Sequence, residues 1–76
     1  MNLVIQRDGS AYFGNARINF QELPPLIRDA VQKGAEKRIY LQADSRAKFS
    51  DVKAALEFIQ LAKITDITII TENSNR

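Results

Sequence analysis

The stretch Arg38 to Thr71, RIYLQADSRAKFSDVKAALEFIQLAKITDITIIT, limits what this chain can fold into more than any other. Ile39, Leu41 and Ala43 alternate with Tyr40 and Gln42, the period of a strand that buries one face. Val52, Ala55, Leu56, Ile59 and Ala62 then recur at helical spacing and predict one apolar stripe on a helix over 51–63. Ser50 is placed to cap that helix, with Asp51 in its first turn near the positive end of the dipole. Ile67 to Thr71 is β-branched throughout, a strand by composition. Strand, helix and strand in this order make a βαβ unit, whose parallel strands need such a crossover.

The residues before it predict a small meander over 2–18. Asn2 to Arg7 reads as a strand and Ser10 to Phe13 as its return, joined through Asp8-Gly9 in a type I′ turn. Gly14-Asn15 is a second tight-turn pair before the short strand Ala16 to Ile18. Asn19 and Glu22 stand at capping-box spacing, yet Pro24 and Pro25 fit a helix only at its start. Phe20 to Leu23 therefore reads as a separate tight turn and the main first helix as 24–33. Leu23, Leu26, Ile27, Ala30 and Val31 form its stripe, and Gly34 its C′ residue. Asn73 to Arg76 reads as a frayed end.

The expected fold is α+β, a two-layer α/β sandwich. Its order is β-β-β-α-β-α-β, with both helices on one face of a mixed sheet. Leu26, Ile27, Leu41, Leu56, Ile59 and Ile69 are expected to share one core. At 76 residues the chain is a single domain near the lower size limit for a self-sufficient core.

Composition narrows function chiefly by exclusion. With no cysteine and no histidine, the chain has no disulfide, no thiol nucleophile and no Cys- or His-based metal site. Eleven basic and nine acidic side chains are spread evenly, which does not make a nucleic-acid surface. No apolar run approaches the length of a membrane span or of a signal peptide. The carboxylates lack partners at a functional spacing; Asp29 with Lys33 and Lys53 with Glu57 are i,i+4 surface pairs. The inventory points away from an enzyme and calls for no cofactor.

Three features are open to a functional reading. Asp44 ends a parallel strand before a helix, the sheet edge where α/β proteins place ligands, with Arg46 and Lys48 beside it. Without a glycine the loop is no phosphate cradle, and the simpler reading is that Asp44 accepts backbone amides in an Asx-turn and pairs with Arg46 or Lys48. On the open sheet face, Tyr12, Tyr40 and Gln42 are candidate contacts alongside Val4, Gln6, Thr68 and Ile70. That mixture suits a face partly covered by another chain, and suits equally an ordinary half-polar outer face. On the second helix Ala54, Phe58 and Leu61 form a minor stripe; Phe58 can pack sideways on the first helix, whereas Leu61 points nearly opposite the core.

The string Tyr40-Leu41-Gln42-Ala43-Asp44, then Phe49-Ser50-Asp51-Val52, then Ala62-Lys63-Ile64-Thr65-Asp66, ending Ile69-Ile70-Thr71-Glu72, resembles the C-terminal periplasmic domain of the ExbD/TolR family. Gln42 stands where the family commonly has Arg, Phe49 where it has Tyr, and Ser50 and Lys63 where it has Gly. The resemblance implies a non-catalytic periplasmic domain of a proton-motive-force-driven stator, anchored in the inner membrane of a Gram-negative bacterium. On that reading the chain is a soluble domain excised from a longer protein that carries a membrane helix. The implied partners are a second copy in a homodimer, an ExbB- or TolQ-like membrane protein, and a TonB- or TolA-type transducer. Peptidoglycan is the alternative ligand, as in the TolR branch, and a small-molecule sensor using the Asp44 loop is a third reading. The strand Ile67, Thr68, Ile69, Ile70 and Thr71 is the candidate edge for pairing with another chain, because it ends the chain and lacks proline, glycine or an internal charge.

Overall fold

The computed structural model describes residues 1–72; the expected fraying of Asn73 to Arg76 lies outside the described residues. Strands β1 (Asn2–Ile5), β2 (Ala11–Phe13) and β3 (Ala16–Ile18) lead into a short 3-10 turn, Phe20–Glu22. Helix α1 (Leu23–Gln32), strand β4 (Arg38–Asp44), helix α2 (Phe49–Leu61) and strand β5 (Asp66–Glu72) follow. The single mixed sheet has the order β3-β2-β1-β4-β5. The β1–β4 and β4–β5 pairs are parallel, and the meander pairs are antiparallel.

Alternation in the strands decides which face is filled. Leu3, Ile5, Ile39 and Leu41 are fully buried, as are Leu23 and Ile27 of α1 and Ala55 and Ile59 of α2. All belong to one cluster, so both helices cover the same face. Val52, Leu56, Phe58 and Ala62 are partly buried against it, which agrees with the predicted stripe and with sideways packing of Phe58. Leu26 is half-buried rather than central.

Ile69 departs from the expected core. Its side lies with Leu41, its register partner, yet it is 51% exposed. Leu41 has strands on both sides and helices above, whereas β5 has one sheet neighbour among the described residues.

The first turn also differs. Gly9 has φ of 92° and Asp8 has an ordinary negative φ, so the connection is not type I′. Gln6 N–H donates to the Ser10 carbonyl at 2.8 Å and Gly9 N–H to the Gln6 carbonyl at 3.0 Å. This is a type I turn closed by a left-handed glycine, the other common hairpin solution. Asp8 Oδ1 accepts the Ser10 N–H at 2.9 Å, which favours it over the mirror-image turn. The turn takes residues 6–10, so β1 ends at Ile5.

At the helix ends the side-chain caps shift. Glu22 Oε1 accepts the Asn19 N–H at 2.8 Å, the backward half of the expected box, and it belongs to the 3-10 turn. Ser50 does not cap α2. Lys48 is the N-cap, with extended backbone and no side-chain bond, and Ser50 falls inside the first turn. The tight turn from Asp44 to Ala47 brings the chain into the helix two residues early.

Candidate interaction surface

The sheet has two edges of unequal character. The β3 edge is three residues long and exposes Arg17, and short charged edges resist pairing. The β5 edge is seven residues long, and its acidic residues stand only at its ends, Asp66 and Glu72. Between them both faces carry exposed isoleucine: Ile69 on the helix side at 51% and Ile70 on the open side at 42%. Thr68 and Thr71 are exposed and Ile67 is half-buried against the core. An unpaired backbone row with apolar side chains on both faces is complementary to another extended chain.

The open face continues from this edge. The register aligns Arg17, Tyr12, Val4, Gln42 and Ile70 in one row across all five strands. A second row runs Asn2, Tyr40 and Thr68. Tyr40 is 38% exposed, whereas Tyr12 and Gln42 are half-buried among their neighbours. At the start of the β4–β5 ladder the Arg38 Nε donates to Asp66 Oδ2 at 2.9 Å. That bond, with the Tyr40 hydroxyl second, holds the guanidinium above its ordinary value. The pair pins the register at one end and leaves Ile69 and Ile70 beyond it.

The Asx-turn open to Asp44 forms. Asp44 Oδ1 accepts the Arg46 N–H at 2.8 Å, with Arg46 Nε at 3.5 Å, and the Ala47 N–H donates to the Asp44 carbonyl at 2.8 Å. The Arg46 N–H bond is the main reason the Asp44 carboxyl is held below its usual value. A hollow of about 220 Å³ lies beside it, between the ends of β1 and β4, lined in part by Arg7, Gln42 and Arg46. Among the described residues no cluster of carboxylates suits a metal ion. Nor is any helix of the described residues long and apolar enough to cross a membrane.

Ile69 stands in the sequence both in the expected core and in the candidate edge strand, because alternation does not reveal which strand lacks a second neighbour. Arg7 is the residue that the sequence does not signal. Arg7 joins the Asp44 hollow because β1 lies beside β4, an adjacency between segments more than thirty residues apart.

The family model for ExbD, described as biopolymer transport protein ExbD/TolR, matches residues 1–74, nearly the whole chain. The chain belongs to the ExbD/TolR family. Membership covers the N-terminal meander as well as the βαβ unit that carried the motif resemblance. It places the chain among the components of biopolymer transport, a family of transport components rather than of enzymes. No curated protein matches the chain significantly. Lys63, where the family commonly has glycine, has φ of 64°, the left-handed backbone that follows a helix C-cap. The departure is therefore a strained replacement at a position whose geometry favours glycine.

Proposed function

We propose that this domain is the periplasmic part of a proton-motive-force-driven stator and works by strand pairing. In this reading it couples inner-membrane proton flow, handled with an ExbB- or TolQ-like partner, to a TonB- or TolA-type transducer. The domain makes no bonds; it binds and releases. The observation that carries the proposal is the long β5 edge with Ile69 and Ile70 exposed on its two faces. A second copy, or an extended transducer segment, adds a strand there. Main-chain hydrogen bonds supply affinity, while Ile69, Ile70 and Thr68 select the incoming side chains.

A lysine on either face tests this, because charge is how natural edges resist pairing. Ile69→Lys and Ile70→Lys should keep the fold, since both side chains already reach solvent. Each should weaken self-association and binding of extended transducer peptides by roughly tenfold or more, as in losing about 1.4 kcal/mol. Unchanged association in both variants would remove the β5 edge from the account.

A further inference from the structure

Leu61, the residue that sequence phasing placed opposite the core, is 65% exposed and forms one wall of a cleft of about 430 Å³. The cleft lies where the C-terminal ends of α1 and α2 meet the segments entering β4 and β5. Buried Ile27 and Ile64 contribute to its floor, and Arg28, Lys37 and Lys63 line it with no carboxylate among them. Among the described residues none of these three cations makes an ion pair; the pairs formed are Lys33–Asp29, Arg38–Asp66 and Arg46–Asp44. Cations do serve to offset the negative end of a helix, but within its last turn. Neither α1 nor α2 has a basic residue in its last turn; Lys63, just past the α2 C-cap, can serve that end, which leaves Arg28 and Lys37 unexplained.

From this we infer that the cleft is a second docking site, for an acidic peptide segment with an apolar side chain between its carboxylates. The apolar side chain would pack on Leu61 and the isoleucine floor, and flanking Asp or Glu would meet Arg28, Lys37 and Lys63. A concave site suits an extended chain better than a flat anionic surface, and three separate cations suit several spaced carboxylates better than one small anion. Lys63 gains a role here: its strained backbone puts a charge on the cleft where glycine would put none. The site lies before β5 begins and uses none of Ile67 to Thr71. It goes beyond the strand-pairing proposal, and the two can fail separately.

The test is a titration of the isotope-labelled chain, followed by NMR, with the blocked peptide Asp-Glu-Leu-Glu-Phe-Asp-Glu. Its Asn/Gln counterpart and a Lys-substituted version serve as controls. Saturable shifts are expected at Val31, Gln32, Lys37 and Leu61 to Ile64, weakening as salt rises from about 20 to 200 mM. Arg28→Gln, Lys37→Gln and Lys63→Gln together should weaken binding by about tenfold, the sum of three exposed pairs. Leu61→Ser should also weaken it while the Ile67–Thr71 resonances stay in place, showing an intact fold. Equal binding of the Asn/Gln peptide would overturn the inference. So would shifts confined to β5, binding of anionic vesicles but not peptide, or no saturable shift up to about 2 mM, a range in which weak specific sites are detectable.

Discussion

Ile39 and Ile69 lie on the same face of adjacent parallel strands, and replacing each by threonine measures how far the helix layer extends. The substitution keeps β-branching, removes two carbons and adds a hydroxyl. Ile39 is fully buried and pairs with Ile67; Ile69 lies two residues further along β5 and is half exposed. At Ile39 two lost carbons cost about 1.6 kcal/mol, and the dry hydroxyl adds about 1–3, giving roughly 3–5 kcal/mol. At Ile69 half the transfer term remains, the hydroxyl is solvated, and the total is about 1 kcal/mol or less. For a chain of this size, total stability is on the order of 4–11 kcal/mol, so the first change is severe and the second mild. Urea unfolding followed by circular dichroism reads both, with equal m-values required for the comparison. An Ile69→Thr cost matching that of Ile39→Thr would show that the helices cover β5 to its outer side, and the exposed-edge argument would fail.

Three further outcomes follow from local geometry. Lys63→Gly relieves a left-handed backbone and should gain about 0.5–1 kcal/mol net of the extra unfolded-state entropy, raising Tm by several degrees in a thermal melt. Gly9→Ala should lose more than about 1 kcal/mol in the same melt, because φ there is 92° and a new Cβ would sit 3.2 Å from Asp51 Oδ2. The Asp8 and Asp44 carboxyls are held low, Asp8 first by the Ser10 N–H and Asp44 first by the Arg46 N–H. A depressed folded-state value gives stability present above the unfolded value, about 3.9, and lost as pH falls through the folded one. Stability should therefore vary little from about pH 5 to 8, with no histidine to titrate, and drop below about pH 4. Asp44→Asn should soften that acid limb; an unchanged limb would mean that the charge on Asp44 adds nothing to the turn.

Periodicity made most elements legible. The α2 stripe from Val52 to Ala62 and the β4 alternation are local signals, and the structure places both as the spacing requires. Boundaries moved where two local solutions compete. Asp8-Gly9 admits two hairpin turns, and the Asp8 bond to Ser10 favours the one that keeps Asp8 at negative φ. Ser50 is a good cap by type, but the Asp44–Ala47 turn starts the helix at Phe49, which is left 78% exposed. The exposure of Ile69 and the approach of Arg7 to Asp44 depend on strand order, which no local pattern encodes. The cleft at Leu61 is similarly assembled from both helix ends and from Lys37, and only Leu61 itself carried a signal in the sequence.

Hydrogen exchange at Ile67 to Thr71 tests the strand-pairing account most directly. In dilute monomer the β5 amides that do not bond to β4 should exchange quickly, because no strand of the described residues lies on that side. On self-association, or on adding an extended peptide from a TonB- or TolA-type transducer, those same amides should become protected while the β3 edge is unchanged. Slow exchange at all five amides in the isolated monomer, or full association without any gain in their protection, would contradict it.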